Sequence, residues 1–143
     1  MSDEVLIDAG PIVALLDKSD NRNPQCRFTA EELNSQFVTV WPVIAEASFL
    51  LRRIYHGQAT LLAMLADETI KIANLNREDV PRIRELMAKY HDLPMDLADA
   101  SIVRVAERQR IRRVFTIDQK DFRIYRPAHI RHFTLLPSMI RPS

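Results

Sequence analysis

The chain has 143 residues, of which 20 are Lys or Arg and 19 are Asp or Glu, so the formal net charge is +1. Hydrophobic residues make up 47% and charged residues 27%, which excludes a disordered or collagen-like chain and favours one folded domain over residues 1–143. The single cysteine, Cys26, excludes an intrachain disulfide and a cysteine-based zinc site, and no apolar run reaches the roughly 18 residues of a membrane span, so we expect a cytoplasmic protein without a membrane segment.

The hydrophobic periodicity predicts strands that alternate with helices. In chain order we expect a strand at 5–7, helices at 11–16 and 23–33, a strand at 37–40, helices at 42–53 and 58–66, a strand at 70–73, helices at 77–90 and 94–109, and strands at 113–117 and 133–136. This alternation predicts an α/β fold with a central, mainly parallel sheet of about five strands and helices on both faces.

Carboxylates stand at conspicuous places in this pattern. Asp8 and Asp118 each follow an expected strand, at the sheet edge where α/β proteins bind ligands. Glu46 lies in an otherwise apolar helical turn, and Asp96 and Asp99 are three apart on one helix face. Clustered, partly buried carboxylates repel one another and lose hydration, so they require compensating cations or donors. Mg²⁺ or Mn²⁺, which prefer oxygen ligands, would meet that need.

Each acid also has a purely structural interpretation. Asp8 is suited to cap the helix that Pro11 opens, and Asp96 to cap the next acidic helix with Asp99 as its capping-box partner. Asp118 is suited to start a turn through its own backbone. Glu46 is harder to explain in this way.

Charge is unevenly distributed along the chain. Residues 1–107 carry 11 basic and 17 acidic side chains, whereas residues 108–143 carry 9 basic and 2 acidic ones. The basic residues of 108–143 are Arg108, Arg110, Arg112, Arg113, Lys120, Arg123, Arg126, Arg131 and Arg141. Arginine suits bidentate phosphate contacts, so a polyanionic partner is one interpretation and solubilising surface charge is the other.

Four segments together resemble PIN-domain proteins. Residues 6–17 (LIDAGPIVALLD) are similar to the opening motif and residues 41–47 (WPVIAEA) to the second acidic motif. Residues 95–103 (MDLADASIV) and 115–122 (FTIDQKDF) are similar to the third and fourth. Order, separation and chain length also resemble the VapC-type toxins of bacterial toxin and antitoxin pairs. One departure is Ala9-Gly10, where many relatives have a hydroxyl residue after the first aspartate.

The resemblance implies a PIN-like fold and metal-dependent hydrolysis of RNA. It implies that Asp8, Glu46, Asp99 and Asp118 are the catalytic residues and ligands of Mg²⁺ or Mn²⁺. It further implies that Thr116 hydrogen-bonds near the site and that Asp96 or Asp121 assists. Asp99 or Asp118 would orient the attacking water, and arginines within residues 108–143 would hold the RNA backbone.

Two other functions fit part of the pattern. A catalytically silent PIN-like module would bind RNA or protein without turnover. A Mg²⁺-dependent phosphatase of the haloacid dehalogenase type also has an aspartate after its first strand, but Gly10 stands where its second aspartate belongs.

The resemblance also implies partners. Its relatives usually form homodimers and are inhibited by a small antitoxin that presents an arginine to the acidic groove. Apolar positions around Leu50, Leu51, Leu61, Leu62 and Met64 suit either such a surface or the core.

Overall fold

A computed structural model describes residues 3–138 of the chain. The strands are β1 (Val5–Ile7), β2 (Phe37–Thr39), β3 (Ile70–Ile72), β4 (Arg113–Phe115) and β5 (Thr134–Leu136). The helices are α1 (Ala9–Leu16), α2 (Asn23–Leu33), α3 (Trp41–Leu50), α4 (Gly57–Ala66), α5 (Val80–Lys89), α6 (Leu97–Gln109) and α7 (Lys120–Ile124), and a 3₁₀ turn at Arg77–Asp79 precedes α5. None of the helices within 3–138 is long and apolar enough to cross a membrane.

The five strands form one sheet in the order β3-β2-β1-β4-β5, and all four pairings are parallel. This confirms the predicted α/β fold. From β1 the chain first builds outward through β2 and β3, and then returns to place β4 and β5 on the other side of β1. The strand order therefore reverses between β1 and β4, where parallel sheets leave a crevice beyond their carboxyl ends.

The centre of the sheet is apolar on both faces. Val5, Leu6 and Ile7 of β1 are all fully buried, although successive side chains of a strand point to opposite faces. Each such burial stabilises the fold by ~1.5–3 kcal/mol. β1, which Asp8 follows, is therefore the most deeply buried strand of the sheet.

Some predicted boundaries were wrong. Helix α3 ends at Leu50 rather than at residue 53, and the chain continues in turns. Helix α6 begins at Leu97 rather than at residue 94, because the Asp96 side chain caps it by accepting from the Asp99 amide at 2.8 Å. Helix α7 was not predicted, since five residues are too few to show a helical period.

A buried carboxylate in the 3₁₀ turn before α5 forms ion pairs with α6. Asp79 is 1% exposed and accepts from Arg104 Nε at 2.8 Å and from Arg108 Nη1 at 2.5 Å. The amide of Asn76 donates to it as well, at 2.8 Å. Burial alone would raise the pKa of Asp79, but these hydrogen bonds outweigh burial and hold it below its usual value. The ion pairs fix α6, the helix that carries Asp99.

Replacing Asp79 with alanine should lower the free energy of unfolding by about 3 kcal/mol, because two arginines lose their buried partner. Urea unfolding at pH 7 measures the change, with Glu78→Ala, an exposed neighbour, as the control expected within about 0.5 kcal/mol. Because the pKa of Asp79 is lowered, its contribution is present above about pH 4 and is lost as the pH falls through the lowered value. Equal losses in the two variants would contradict the anchoring role.

Candidate active site

A cleft of about 460 Å³ opens at the carboxyl ends of β1 and β4. Six carboxylates line it, and none of its lining residues within 3–138 is basic. They are Asp8, Asp20, Glu46, Asp96, Asp99 and Asp118, and the remaining lining residues are Gly10, Val13, Leu50, Thr116, Ile117 and Phe122. The structure therefore brings together six of the seven predicted site residues, four of them proposed ligands, and adds Asp20.

Asp8 is fixed by backbone and hydroxyl hydrogen bonds. It caps α1, and its Oδ1 accepts from the Ala9 amide at 2.8 Å. Its Oδ2 accepts from Thr116 Oγ1, which lies just after the neighbouring strand β4, at 3.0 Å. Asp8 thus both caps a helix and lines the cleft. The resemblance implied that Thr116 hydrogen-bonds near the site, and in the structure its hydroxyl donates to Asp8.

Asp99 lies in the first turn of α6, one turn after the capping residue Asp96. Its Oδ2 accepts from the hydroxyl of Tyr125 at 2.7 Å. The predicted capping interaction of Asp96 is confirmed, since its Oδ1 accepts from the Asp99 amide. The side chain of Asp99 makes its hydrogen bond to Tyr125, so the helix cap does not account for this carboxylate.

Glu46 and Asp118 are carried by different elements of the fold. Glu46 lies on α3, which packs against both α1 and α6, and Asp118 follows β4 in the loop that leads to α7. Both line the cleft. Asp121, on α7, does not line it, although its charge helps to raise the pKa of Asp99.

The pKa values of the clustered acids are displaced upward. Burial raises the pKa of Asp8, hydrogen bonds from Ala9 and Thr116 oppose this, and Asp96 and Asp118 raise it further. Burial and then the charges of Asp8 and Asp96 raise the pKa of Glu46. Each shift means that the negative form is held at a cost in free energy.

The pKa of Asp99 is also raised far above its ordinary value. Burial is the main cause, the Tyr125 hydroxyl opposes it, and the charges of Asp8, Asp96 and Asp121 add to it, so the pKa of Asp99 rises to about 7. Near neutral pH about half of this side chain is protonated unless a cation stabilises the charge.

The donor set suits a hard divalent cation, because every polar side chain of the cleft except the Thr116 hydroxyl is a carboxylate. Over residues 3–138, no three His, Cys, Asp or Glu side chains are grouped closely enough to hold an ion by themselves. Mg²⁺ commonly retains waters and takes one or two protein carboxylates together with substrate phosphates. The cleft therefore fits such an ion by its charge and chemistry, with water and substrate completing the coordination.

Three residues of the site were missed from the sequence. Asp20 lines the cleft and also accepts from the Arg22 amide at 2.8 Å. Gln119 is buried and donates to the carbonyls of Thr116, at 3.1 Å, and Pro137, at 2.9 Å, which braces the loop after β4. Tyr125 contacts Asp99. No helical period indicated Tyr125, because α7 has only five residues and ends at Ile124.

The described basic residues of 108–138 do not form one surface. Arg110, Arg112 and Arg131 precede β4 or β5, so they lie toward the sheet edge opposite the cleft. Arg113, at the start of β4, donates to the Asp3 carbonyl and to Ser35 Oγ. These residues are poorly placed to hold a substrate in the cleft.

Other basic residues are engaged in the fold or lie near the cleft. Arg108 pairs with Asp79, and Arg126 Nη1 donates to three backbone carbonyls at the end of α7. Lys120 and Arg123 are exposed on α7, between and beside the cleft residues Asp118 and Phe122. Arg141 lies outside the described residues.

The unfolding free energy of the metal-free protein should fall as the pH rises from about 4 to about 7. The folded state holds a proton on Asp99 that the unfolded state has released, so stability is lost as that proton leaves. The slope should approach but not exceed about 1.4 kcal/mol per pH unit for this one group. Chemical denaturation across this range in EDTA measures the slope.

Asp99→Asn should flatten that pH dependence, whereas Asp92→Asn, an exposed aspartate outside the cleft lining, should leave it unchanged. An unaltered slope in Asp99→Asn would show that the stability loss has another source.

Comparisons with known proteins agree with the fold. Ribonuclease VapC26 of Mycobacterium tuberculosis is 25% identical over 135 residues, which covers 93% of this chain and 100% of the relative. The crystal structure of VapC20 from Mycobacterium tuberculosis, described as a sarcin-ricin loop cleaving toxin, superposes with a TM-score of 0.74 at 16% identity, covering 81% of this chain and 91% of that one. A toxin-antitoxin complex from Klebsiella pneumoniae gives 0.63 at 24% identity, with coverage of 82% and 89%.

The family comparison covers most of the chain and includes all four predicted acidic motifs. The model of the PIN domain matches residues 5–127. The chain therefore belongs to the PIN domain family.

Proposed function

We propose that this protein is an endoribonuclease that hydrolyses RNA phosphodiester bonds with Mg²⁺ or Mn²⁺, and that it is the toxin of a toxin-antitoxin pair. The observation that supports this most directly is the convergence of six carboxylates in one cleft whose described lining contains no basic side chain. The similarity to ribonuclease VapC26 along nearly the whole chain supports RNA as the substrate class.

The charge of the cleft makes a cation necessary for this function. An RNA phosphate is negative, and it cannot approach six carboxylates without a large electrostatic cost. One or two divalent ions bound among Asp8, Glu46, Asp99 and Asp118, with water and substrate oxygens completing the coordination, would supply Lewis-acid activation of water and neutralise charge on the scissile phosphate. The net reaction adds water across one backbone P–O bond, and no covalent bond to the protein is required.

The protein's own groups have distinct tasks in this proposal. Asp8, held on both oxygens by Ala9 and Thr116, provides a fixed ligand. Asp99 or Asp118 orients the attacking water and accepts its proton. Asp96 and Asp121 assist through their charge. The hydrogen bonds of Gln119 keep the loop that carries Asp118 in place.

We assign contact with the RNA backbone to Lys120 and Arg123. Both are exposed on α7, next to the cleft residues Asp118 and Phe122. Arg110, Arg112 and Arg131 lie toward the opposite edge of the sheet and are not assigned this role.

The partners that we propose are an antitoxin and a second copy of the chain, in the cytoplasm. Exposed apolar side chains are concentrated on α3 and α4, namely Trp41, Phe49, Leu50 and Leu62, whereas Leu51 and Leu61 belong to the core. Leu50 also lines the cleft, so a partner on this surface would reach the carboxylates. The solved complex from Klebsiella pneumoniae supports an antitoxin, and a short DNA-binding protein encoded beside this chain is the expected candidate.

Purified protein should cleave single-stranded RNA only with Mg²⁺ or Mn²⁺, and EDTA should stop the reaction. Asp8→Asn should lower the rate by at least about 100-fold, the upper end of what loss of an outer-shell partner costs, while its unfolding temperature stays equal or rises because repulsion is reduced. Asp67→Asn is the matched control, since Asp67 is exposed and precedes β3 at the opposite sheet edge.

Three outcomes would overturn the proposal. Full activity of Asp8→Asn would show that the site is elsewhere. Binding of RNA without cleavage would favour the catalytically silent module. Hydrolysis of a phosphomonoester dye in place of RNA would favour the phosphatase.

Lys120→Ala should raise KM for RNA without a comparable change in kcat, and should reduce the slope of log KM against log salt by about 0.7, the value for one phosphate contact to a single strand. Arg112→Ala, which removes one positive charge at the opposite sheet edge, should change neither. Equal effects of the two variants would indicate attraction by the overall charge and contradict the assignment to α7.

A further inference from the structure

Tyr125 lies directly behind the cleft, at the end of α7. Its side chain is fully buried, and its hydroxyl donates to Asp99 Oδ2 at 2.7 Å. The ring is held edge-on by Tyr90, at a centroid distance of 5.0 Å, and by Phe122, at 5.1 Å. Phe122 itself lines the cleft, so the aromatic packing around Tyr125 is continuous with the cleft wall.

The hydroxyl constrains the orientation of one carboxylate. Apart from the bond from Tyr125 to Oδ2, the side chain of Asp99 has no hydrogen bond within residues 3–138. A carboxylate on a helix can rotate about its side-chain bonds, whereas a buried ring with two edge-on neighbours cannot move far. The rigid donor on Oδ2 therefore fixes the orientation of the Asp99 carboxylate.

The packing of Tyr125 alone does not require a hydroxyl. Phenylalanine has the same shape and would fill the same space between Tyr90 and Phe122, and a buried hydroxyl costs roughly 1–3 kcal/mol unless it finds a partner. The partner here is an acid repelled by Asp8, Asp96 and Asp121. The arrangement repeats that at Asp8, where the hydroxyl of Thr116 donates to one carboxylate oxygen at 3.0 Å.

We infer that Tyr125 is a positioning residue for the divalent cation, and that its hydroxyl holds the Asp99 carboxylate in the orientation in which it would serve as a ligand. This inference rests on the proposed function, because it assumes that Asp99 is a ligand. Tyr125 touches neither the ion nor the substrate in this role and acts only through Asp99.

The test measures Mn²⁺ binding to the full chain by electron paramagnetic resonance, without RNA. Tyr125→Phe should raise the Kd for Mn²⁺ by about tenfold, as expected when the hydrogen-bond partner of a ligand is removed. Tyr90→Phe is the matched control. It removes a buried hydroxyl from the same aromatic cluster. This hydroxyl accepts from the Arg126 amide at 2.8 Å and makes no hydrogen bond to a carboxylate within residues 3–138. This control should leave the Kd unchanged.

A double-mutant cycle with Asp99→Asn separates positioning from general destabilisation, and circular dichroism verifies folding of each variant. If Tyr125 acts through Asp99, adding Tyr125→Phe to Asp99→Asn should cause no further loss of Mn²⁺ affinity. An additive loss, or equal weakening by Tyr90→Phe, would overturn the inference in favour of a structural role.

The failure of this inference can be distinguished from failure of the proposed function. If the wild-type protein binds Mn²⁺ and Tyr125→Phe binds it equally well, the positioning role is wrong and the proposed function stands. If the wild-type protein binds no Mn²⁺, or if Asp99→Asn binds it as the wild type does, the ligand assignment fails and this inference fails with it.

Discussion

The repulsion among carboxylates at the carboxyl ends of β1 and β4 is the constraint on which the site depends. Six acids line one cleft, and burial and mutual repulsion together raise the pKa of Asp8, Glu46 and Asp99. The fold holds them together because they are attached to elements that are stable for other reasons. Asp8 follows a fully buried strand, and Asp99 lies on a helix anchored by buried ion pairs. The scaffold therefore supports a cluster that would separate if it were free to move.

The same charge explains why substrate and inhibitor would compete for one place. A cleft of this potential excludes an RNA phosphate but attracts a divalent cation or the guanidinium of a partner protein. An ion would make the cleft receptive to RNA, whereas an arginine would neutralise it and fill it. Regulation by a protein partner would then require no second site, because the charge that attracts the ion would also attract an inhibitor.

Much of the fold and most of the acidic cluster were predictable from the sequence, for identifiable reasons. Strands as apolar as Val5–Ile7 leave a clear pattern, and parallel strands place the residues that follow them at one edge, which brings Asp8 and Asp118 together. The capping role of Asp96 was also predicted correctly, and Asp96 lines the cleft in addition.

What the sequence could not show depends on three-dimensional packing. Helix α7 is too short to have a period, so Tyr125 and Gln119 had no predicted place near the acids. The basic residues of 108–143 were considered together because they are close in sequence, yet β4 separates Arg110 and Arg112 from Lys120 and Arg123. The most direct test of the central claim is a crystal structure with Mn²⁺ and its anomalous difference map. The account predicts a peak in the cleft, about 2 Å from carboxylate oxygens of at least one of Asp8 and Asp99. A well-diffracting crystal at millimolar Mn²⁺ with no peak there, or with the ion bound on another surface, would contradict it.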